Sequence, residues 1–157
     1  MIYEKAAQLN YHALSIKLTE DALNATFGPN YWVRVQMSLD LTPYSVPDPD
    51  LAAILGGPRS HVTKSNPTSA LLIVEVSETT VSYDRRFKGS LYAKVGIADY
   101  WIVNLKRREL EVRRNPAADP TARFGSRYNQ RLILLPGDTV SPLAAPQAKI
   151  AVADLLP

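Results

Sequence analysis

The stretch Ala70-Leu71-Leu72-Ile73-Val74-Glu75-Val76 is an apolar run with a single carboxylate near its end. It is too short for a typical helix and is bounded by turn signals, so it predicts a buried strand. A second short apolar run, Leu51 to Leu55, follows the turn-forming dipeptide Pro49-Asp50. A polar loop separates the two runs, and this order is typical of two neighbouring strands joined as an antiparallel hairpin.

The register of that hairpin can be predicted from the position of the loop. Asp50 and Glu75 are equidistant from the centre of the loop that runs from Gly56 to Ser69. Residues directly opposite each other in an antiparallel pair share a face, with Cβ atoms about 5 Å apart. The two carboxylates would then converge at the open end of the hairpin, where one cation could bridge them. Without the cation, their mutual repulsion would raise the pKa of one of them.

Each carboxylate also has a structural interpretation. Asp50 closes the segment Val46-Pro47-Asp48-Pro49-Asp50, which is good turn chemistry without any ligand. A structural role is harder to sustain for Glu75, because a buried carboxylate without a partner is costly. From the residues alone, a metal site and a purely structural pair are both open.

Lys88 lies in the stretch Ser82 to Val95, whose helical spacing ends at Gly96 as a C-cap. Two carboxylates and a lysine form a minimal set for hydrolysing a phosphodiester with a divalent cation. The carboxylates hold the ion, and the ammonium group faces the phosphate or steers the attacking water. On the helix, Lys88 also lies one turn from Asp84 and Tyr92, and the spacing alone favours a surface ion pair with Asp84.

The remaining segments predict one long helix and several strands. These are a helix from about Glu4 to Phe27, strands Tyr31 to Leu41, Tyr100 to Leu105, Glu109 to Arg114 and Arg127 to Leu135, and a closing element Lys149 to Leu156. The order predicts an α/β or α+β fold, with a central mixed β-sheet flanked by helices. A chain of 157 residues is expected to form a single domain over residues 1–157. The first helix is apolar on two sides, which indicates a partner subunit and hence a homodimer.

Charge is unevenly distributed along the chain, although the net charge is only +3. Between Arg85 and Arg131 there are 12 of the 18 Lys and Arg residues and four acidic residues, whereas the rest has six basic and eleven acidic residues. A cation site beside a basic surface suits a polyanionic substrate. Taken alone, the asymmetry favours a solvated charged face. The candidate phosphate contacts are Arg85, Arg86, Arg107, Arg108, Arg113 and Arg114.

Composition excludes several other classes of protein. The chain has no cysteine, so disulfide frameworks and thiolate zinc sites are excluded. No apolar run reaches the roughly 18 to 20 residues that span a bilayer, and the first residues do not form a secretory signal. We therefore expect no membrane association and a cytoplasmic location.

Three motifs together resemble the Uma2 family, which belongs to the restriction-endonuclease-like PD-(D/E)XK superfamily. They are Val46-Pro47-Asp48-Pro49-Asp50-Leu51-Ala52, Leu72-Ile73-Val74-Glu75-Val76-Ser77, and the series Tyr83-Asp84-Arg85, Lys88, Leu91-Tyr92-Ala93, Gly96-Ile97 and Tyr100-Trp101-Ile102-Val103. The closing Leu132 to Asp138 and Asp154-Leu155-Leu156-Pro157 also match. The resemblance implies a restriction-endonuclease-like core and an endonuclease that uses Mg²⁺ or Mn²⁺ to cleave nucleic acid, DNA by family analogy.

The resemblance also implies roles for individual residues. Asp50 corresponds to the metal-binding aspartate, Glu75 to the second acid, and the main-chain carbonyl of Val76 to a further metal ligand. Lys88 corresponds to a lysine that has moved from the sheet to the following helix, since the parent position two residues after the second acid is Ser77 here.

The chain departs from the family at its start, where the usual strand pair with a Tyr-Glu-Leu-x-x-Gly-type motif is absent. This departure favours the alternative of a catalytically inactive nuclease fold that acts as a nucleic-acid-binding or dimeric interaction module. His12 matches a histidine common in the family, but a surface or core-edge position is favoured for it. Glu20 is either an outer-shell ligand or an ion-paired interior glutamate. Tyr92 and Trp101 are expected in the core.

Overall fold

The computed structural model describes residues 2–62, 65–78 and 82–157, without the side chains of residues 2–9 and 82–84. The elements are helices α1 (Ile2–Phe27) and α2 (Ser82–Lys94), and strands β1 (Tyr31–Val35), β2 (Leu51–Leu55), β3 (Leu72–Ser77), β4 (Asp99–Asn104), β5 (Glu109–Ala118), β6 (Ser126–Leu134), β7 (Thr139–Val140) and β8 (Ile150–Ala151). Short 3₁₀ turns cover Pro58–His61 and Val152–Leu155.

A mixed sheet forms the centre of the described part of the chain, and its six strands are ordered β1-β2-β3-β4-β5-β6. β3 and β4 are parallel and are connected through α2, whereas the other neighbours pair antiparallel. Parallel neighbours need such a crossover because the chain must return to the same end of the sheet. The predicted mixed sheet with flanking helices is confirmed.

The two helices cover opposite faces of the sheet. Alternate residues of β3 separate two apolar clusters: Leu72 packs in the cluster that contains Leu23 of α1, and Ile73 packs in the cluster that contains Leu91 of α2. A strand buried on both faces reads as a continuous apolar run, which explains the sequence of residues 70–76. Glu75 lies on the α2 face because it is two residues from Ile73.

The first strand is shorter than predicted. β1 ends at Val35, and Gln36 has φ of 52°, in the left-handed region, so the chain leaves the extended conformation there. Leu39 and Leu41 are nevertheless buried. The alternation up to Leu41 therefore reports burial of the loop that leads to β2, and the predicted strand is wrong beyond Val35.

The end of α2 is confirmed. Gly96 has φ of 80°, and the N–H of Ile97 donates to the carbonyl of Tyr92 at 3.0 Å while the N–H of Gly96 donates to the carbonyl of Ala93 at 3.1 Å. These are the two hydrogen bonds of a Schellman C-cap. This cap ends the helix and directs the chain towards the start of β4.

The outer face of α1 remains open in the single chain. Tyr11 is 57% exposed and Leu14 is 45% exposed. Leu14 lies on the second apolar side of the predicted helix, and Tyr11 precedes it by three residues, so the two side chains are neighbours on the helix surface. Among the described residues, no helix combines the length and the apolarity that crossing a bilayer requires.

Candidate active site

The predicted register of the central hairpin is confirmed. Leu51 of β2 is the antiparallel partner of Val74 of β3. Continuing this register by one residue brings Asp50 opposite Glu75. The two acids therefore lie at one end of the hairpin, Asp50 just before β2 and Glu75 within β3.

Asp50 is anchored to the main chain of β3. Its Oδ2 accepts a hydrogen bond from the N–H of Val76 at 2.9 Å. The pairing of β2 with β3 ends at Leu51, so this carboxylate takes an N–H group that lies beyond the paired segment. The side chain of Asp50 is 15% exposed, which leaves it fixed but accessible from the end of the sheet.

Glu75 is buried and is contacted by two residues of α2. Its Oε2 accepts a hydrogen bond from Nζ of Lys88 at 3.1 Å, and its Oε1 accepts one from the hydroxyl of Tyr92 at 3.0 Å. Lys88 and Tyr92 are four residues apart and so lie on the same face of the helix. The structure thus brings Lys88 to Glu75, while the side chain of Asp84, its other predicted partner, lies outside the described residues.

Burial dominates the electrostatics of Glu75. It raises the pKa of this carboxyl to about 7. The positive charge of Lys88 lowers the pKa and the negative charge of Asp50 raises it, but both effects are smaller than that of burial. The predicted repulsion between the acids is therefore present, although the loss of hydration is the larger cause. A cation placed beside Glu75 would favour its ionised form.

His12 of α1 lies at the same end of the hairpin. Its Nε2 is 3.0 Å from the carbonyl oxygen of Val76 and 3.7 Å from Oδ2 of Asp50. The imidazole thus contacts two groups that the sequence suggested as metal ligands. Its position early in the first helix was the only signal for this contact in the sequence, because the contact joins residues 64 positions apart.

The other residues considered from the sequence have structural roles. Tyr92 and Trp101 are fully buried, as predicted, but the hydrogen bond from Tyr92 to Glu75 was not foreseen. Glu20 lies 3.7 Å from Nζ of Lys17, which agrees with an ion-paired glutamate, but this pair lies at the surface of α1 and not in the interior.

The donor groups available to a cation are oxygens. They are the carboxylates of Asp50 and Glu75 and the main-chain carbonyl of Val76. Among the described residues, no group of three or more His, Asp or Glu side chains is arranged to hold a metal ion. Mg²⁺ fits such a sparse set, because it is usually held by one or two carboxylates and keeps several waters.

A second buried acid, Glu111 of β5, lies on the same face of the sheet. Glu75 pairs with Ile102, and Ile102 pairs with Glu111, so the two acids are separated by one strand. Glu111 contacts Nη2 of Arg113 at 3.0 Å and Nη1 of Arg85 at 3.9 Å, and it accepts a hydrogen bond from Arg131. Burial raises the pKa of Glu111, but these guanidinium groups together hold it below its usual range.

The other candidate phosphate contacts are dispersed. Arg86 is exposed on α2, and Arg107 and Arg108 are exposed in the turn between β4 and β5. Arg114 pairs with the fully buried Asp99 at 2.9 Å and donates to the carbonyl of Ser141 at 2.7 Å. The guanidinium of Arg114 therefore holds the sheet to the segment after β7.

The mixed sheet, the α2 crossover and the acids at the end of the central hairpin define a restriction-endonuclease-like fold. A solved structure with this fold is described as that of "a putative nuclease belonging to DUF820 from Anabaena variabilis". It matches 92% of this chain and 79% of its own chain, with a TM-score of 0.65 and 11% identity. The type IIG restriction endonuclease BpuSI matches 70% of this chain and 12% of its own chain, with a TM-score of 0.46 and 20% identity.

The family is shown by the sequence of the chain. Residues 2–153 match the model of the Uma2 family, which is described as "Putative restriction endonuclease". The chain belongs to the Uma2 family, and this membership supports a nuclease. No curated protein matches the chain in sequence.

Proposed function

We propose that this protein is a divalent-metal-dependent endonuclease that hydrolyses phosphodiester bonds in DNA. The observation that carries the proposal is the convergence of three groups from separate elements. Asp50 and Glu75 are opposite each other at the end of the β2–β3 hairpin, and Nζ of Lys88 lies 3.1 Å from Glu75. Membership of the Uma2 family supports the same reaction class.

In this proposal, Asp50, Glu75 and the carbonyl of Val76 hold Mg²⁺ or Mn²⁺. When bound, the ion supplies Lewis-acid stabilisation of the charge that develops on the scissile phosphate. Asp50 is oriented for this role by the N–H of Val76, and Glu75 by the hydroxyl of Tyr92. A cation bound beside Glu75 would offset the cost that burial imposes on the ionised form of that carboxyl.

Lys88 has a role that needs no metal contact. Its side chain is 33% exposed, so its ammonium group reaches both the buried Glu75 and the solvent-facing side of the site. There it would donate a hydrogen bond to a phosphate oxygen or orient the attacking water.

The proposal is tested by near-isosteric substitutions in an assay of plasmid nicking. We expect Asp50→Asn, Glu75→Gln and Lys88→Met each to lose at least about 100-fold in Mg²⁺-dependent cleavage, because each removes a charge that acts on the reacting phosphate. Glu20→Gln is the matched control, since this acid pairs with Lys17 on α1. Circular dichroism checks that every variant is folded.

The outcomes separate the alternatives. Wild-type-level cleavage by any of the three variants would remove that residue from the mechanism. A wild-type protein that binds DNA in a salt-sensitive manner, without Mg²⁺ dependence or cleavage, would favour the non-catalytic binding module.

We further propose that the protein acts as a homodimer through the outer face of α1. The exposed Tyr11 and Leu14 support this, because large apolar side chains exposed together on a helix mark interaction surfaces.

A further inference from the structure

A second charged concavity lies between α2 and the hairpin of β5 and β6. It has a volume of about 570 Å³, within the usual range for ligand sites. Four arginines line it: Arg86 on α2, Arg113 on β5, Arg123 in the β5–β6 loop and Arg127 on β6. We call this feature the arginine cleft.

The positive charge of the arginine cleft is only partly compensated, because Arg113 and Arg127 each have a carboxylate partner whereas Arg86 and Arg123 have none among the described residues. Asp119 is the one acidic residue among the described residues that line it, and it pairs with Arg127 at 3.5 Å. Within the described part of the chain, no carboxylate lies within ion-pair distance of Arg86 or Arg123. Like charges gathered without counter-charges repel one another, so an anion bound among them would be favoured.

Arg113 is fixed at the floor of the cleft. Its Nε donates a hydrogen bond to Oε2 of the buried Glu111 at 3.1 Å, and its Nη2 lies 3.0 Å from the same oxygen as an ion pair. The remaining terminal nitrogen, Nη1, passes close to α2 at Gly89, where a Cβ atom would lie 3.2 Å from it. Because Gly89 has no side chain, the guanidinium of Arg113 fits beneath the helix. Its Nη1 atom is not among the nitrogens that contact Glu111.

Arg123 is held by stacking on aromatic rings. Its guanidinium carbon lies 5.8 Å from the ring centre of Phe87 and 5.2 Å from that of Phe124. These rings contact each other edge to face at 5.1 Å. Stacking of this kind leaves the edge of the guanidinium plane free to donate hydrogen bonds.

The loop that carries Arg123 is itself anchored to α2. The hydroxyl of Ser90 donates to the carbonyl of Ser126 at 2.7 Å and accepts a hydrogen bond from the N–H of Phe124 at 2.9 Å. Within the loop, the side chain of Asp119 accepts hydrogen bonds from Thr121. A site formed before the ligand arrives binds it at a lower entropic cost.

We propose that the arginine cleft is a phosphate-binding site, separate from the Asp50–Glu75 site, that takes a phosphate ester. The planar fork of a guanidinium matches two oxygens of a phosphate, and two of the four arginines, Arg113 and Arg123, are already held in place by the contacts described above. The volume accommodates a group as large as one nucleotide. The phosphate belongs either to a free nucleotide or to the backbone of a nucleic acid strand.

The test measures binding in the presence of a chelator, so that it does not depend on cleavage. Calorimetry with inorganic phosphate and with a 5′-mononucleotide compares the wild type with the double variant Arg86→Gln/Arg123→Gln. We expect the double variant to bind both ligands at least about tenfold more weakly, because two charge-assisted contacts are removed. Arg59→Gln is the matched control, since Arg59 is an exposed arginine outside the cleft.

A single-stranded oligonucleotide distinguishes the two sources of the phosphate. If the cleft takes strand phosphates, the double variant also loses oligonucleotide affinity. The slope of the logarithm of the binding constant against the logarithm of the salt concentration then decreases in magnitude by about one for each arginine removed. If it takes free nucleotides only, oligonucleotide binding is unchanged while nucleotide binding is lost. Thermal unfolding checks the fold, and Arg127→Gln gives a second, single-site variant.

Two results would overturn the proposal. One is a wild-type protein that binds neither phosphate, nor the nucleotide, nor the oligonucleotide. The other is equal affinity of the wild type and the double variant for all three ligands. The endonuclease proposal is tested separately, because it fails if the protein shows no Mg²⁺-dependent nicking. A Glu75→Gln protein that still binds phosphate would show that binding in the cleft does not depend on the Asp50–Glu75 site.

Discussion

Glu75 and Glu111 show how two buried glutamates on one face of a sheet acquire different properties. Glu111 contacts three guanidinium groups, which hold its pKa below the usual range despite burial. At Glu75 the ion pair with Lys88 and the hydrogen bond from Tyr92 offset burial only in part, and the pKa is raised to about 7. The ionised form of Glu75 is therefore the less stabilised of the two. A buried carboxyl with a strongly shifted pKa is a feature that is common at functional sites.

A pH-dependent stability follows from the raised pKa of Glu75. Below the ordinary pKa of 4.5 the carboxyl is protonated in both the folded and the unfolded chain, so it does not make the free energy of unfolding depend on pH. Between this value and about 7 the unfolded chain loses its proton first, so folding becomes less favourable as the pH rises. Relative to Glu75→Gln, the free energy of unfolding of the wild type should fall by about 2 to 3 kcal/mol between about pH 5 and about pH 8.

Denaturant unfolding of both proteins at several pH values measures this difference. Adding Mg²⁺ at the higher pH should stabilise the wild type and leave Glu75→Gln nearly unchanged. A constant difference between the two proteins across the pH range would contradict the raised pKa.

At the scale of elements, the β2–β3 hairpin was the most predictable part of the molecule. Strand register is set by the loop between the strands and by the apolar faces, and both are local in sequence. The arithmetic that placed Asp50 opposite Glu75 therefore agrees with the pairing of Leu51 with Val74. The strand predicted up to Leu41 was wrong beyond Val35, because alternation reports burial, and a loop can be buried by the elements above it.

The C-cap of α2 gives a prediction about this helix. Gly96 has φ of 80°, which a residue with a Cβ atom adopts at a cost. We expect Gly96→Ala to lower the free energy of unfolding by about 1 kcal/mol. Thermal or urea unfolding measures the change.

Gly137 is the matched control for that substitution. An added Cβ atom would meet nothing within 4 Å at either glycine, but Gly137 does not have a positive φ. Gly137→Ala should therefore leave stability unchanged or raise it slightly. Equal losses at both positions would show that the left-handed conformation of Gly96 is not the cause.

The basic residues that cause the charge asymmetry of the sequence lie in several different environments in the folded protein. Arg114 forms an ion pair with the buried Asp99. Arg85, Arg113 and Arg131 surround Glu111. Arg86, Arg123 and Arg127 remain at the surface of the arginine cleft. The excess of positive charge is thus partly structural, and only part of it is available to a polyanion.

The homodimer proposal predicts a change of mass. If the outer face of α1 forms the contact, the wild type should have about twice the chain mass of 17.4 kDa in light scattering, and Leu14→Glu should have the mass of one chain. A buried charge without a partner strongly disfavours association. Leu143→Glu is the matched control, because Leu143 is 48% exposed but lies outside α1. A monomeric wild type, or a dimeric Leu14→Glu, would remove α1 from the interface.

Features that depend on neighbours along the chain were predictable from the amino-acid sequence alone. These include the helix from Ser82 ended by Gly96, the strands on either side of the loop, and the opposition of Asp50 and Glu75. The folded structure was needed to show that Lys88 contacts Glu75, that His12 contacts Val76, and that Arg113 and Arg123 line the same cleft. These contacts join separate elements, and they depend on how helices pack across a sheet, which no local pattern encodes.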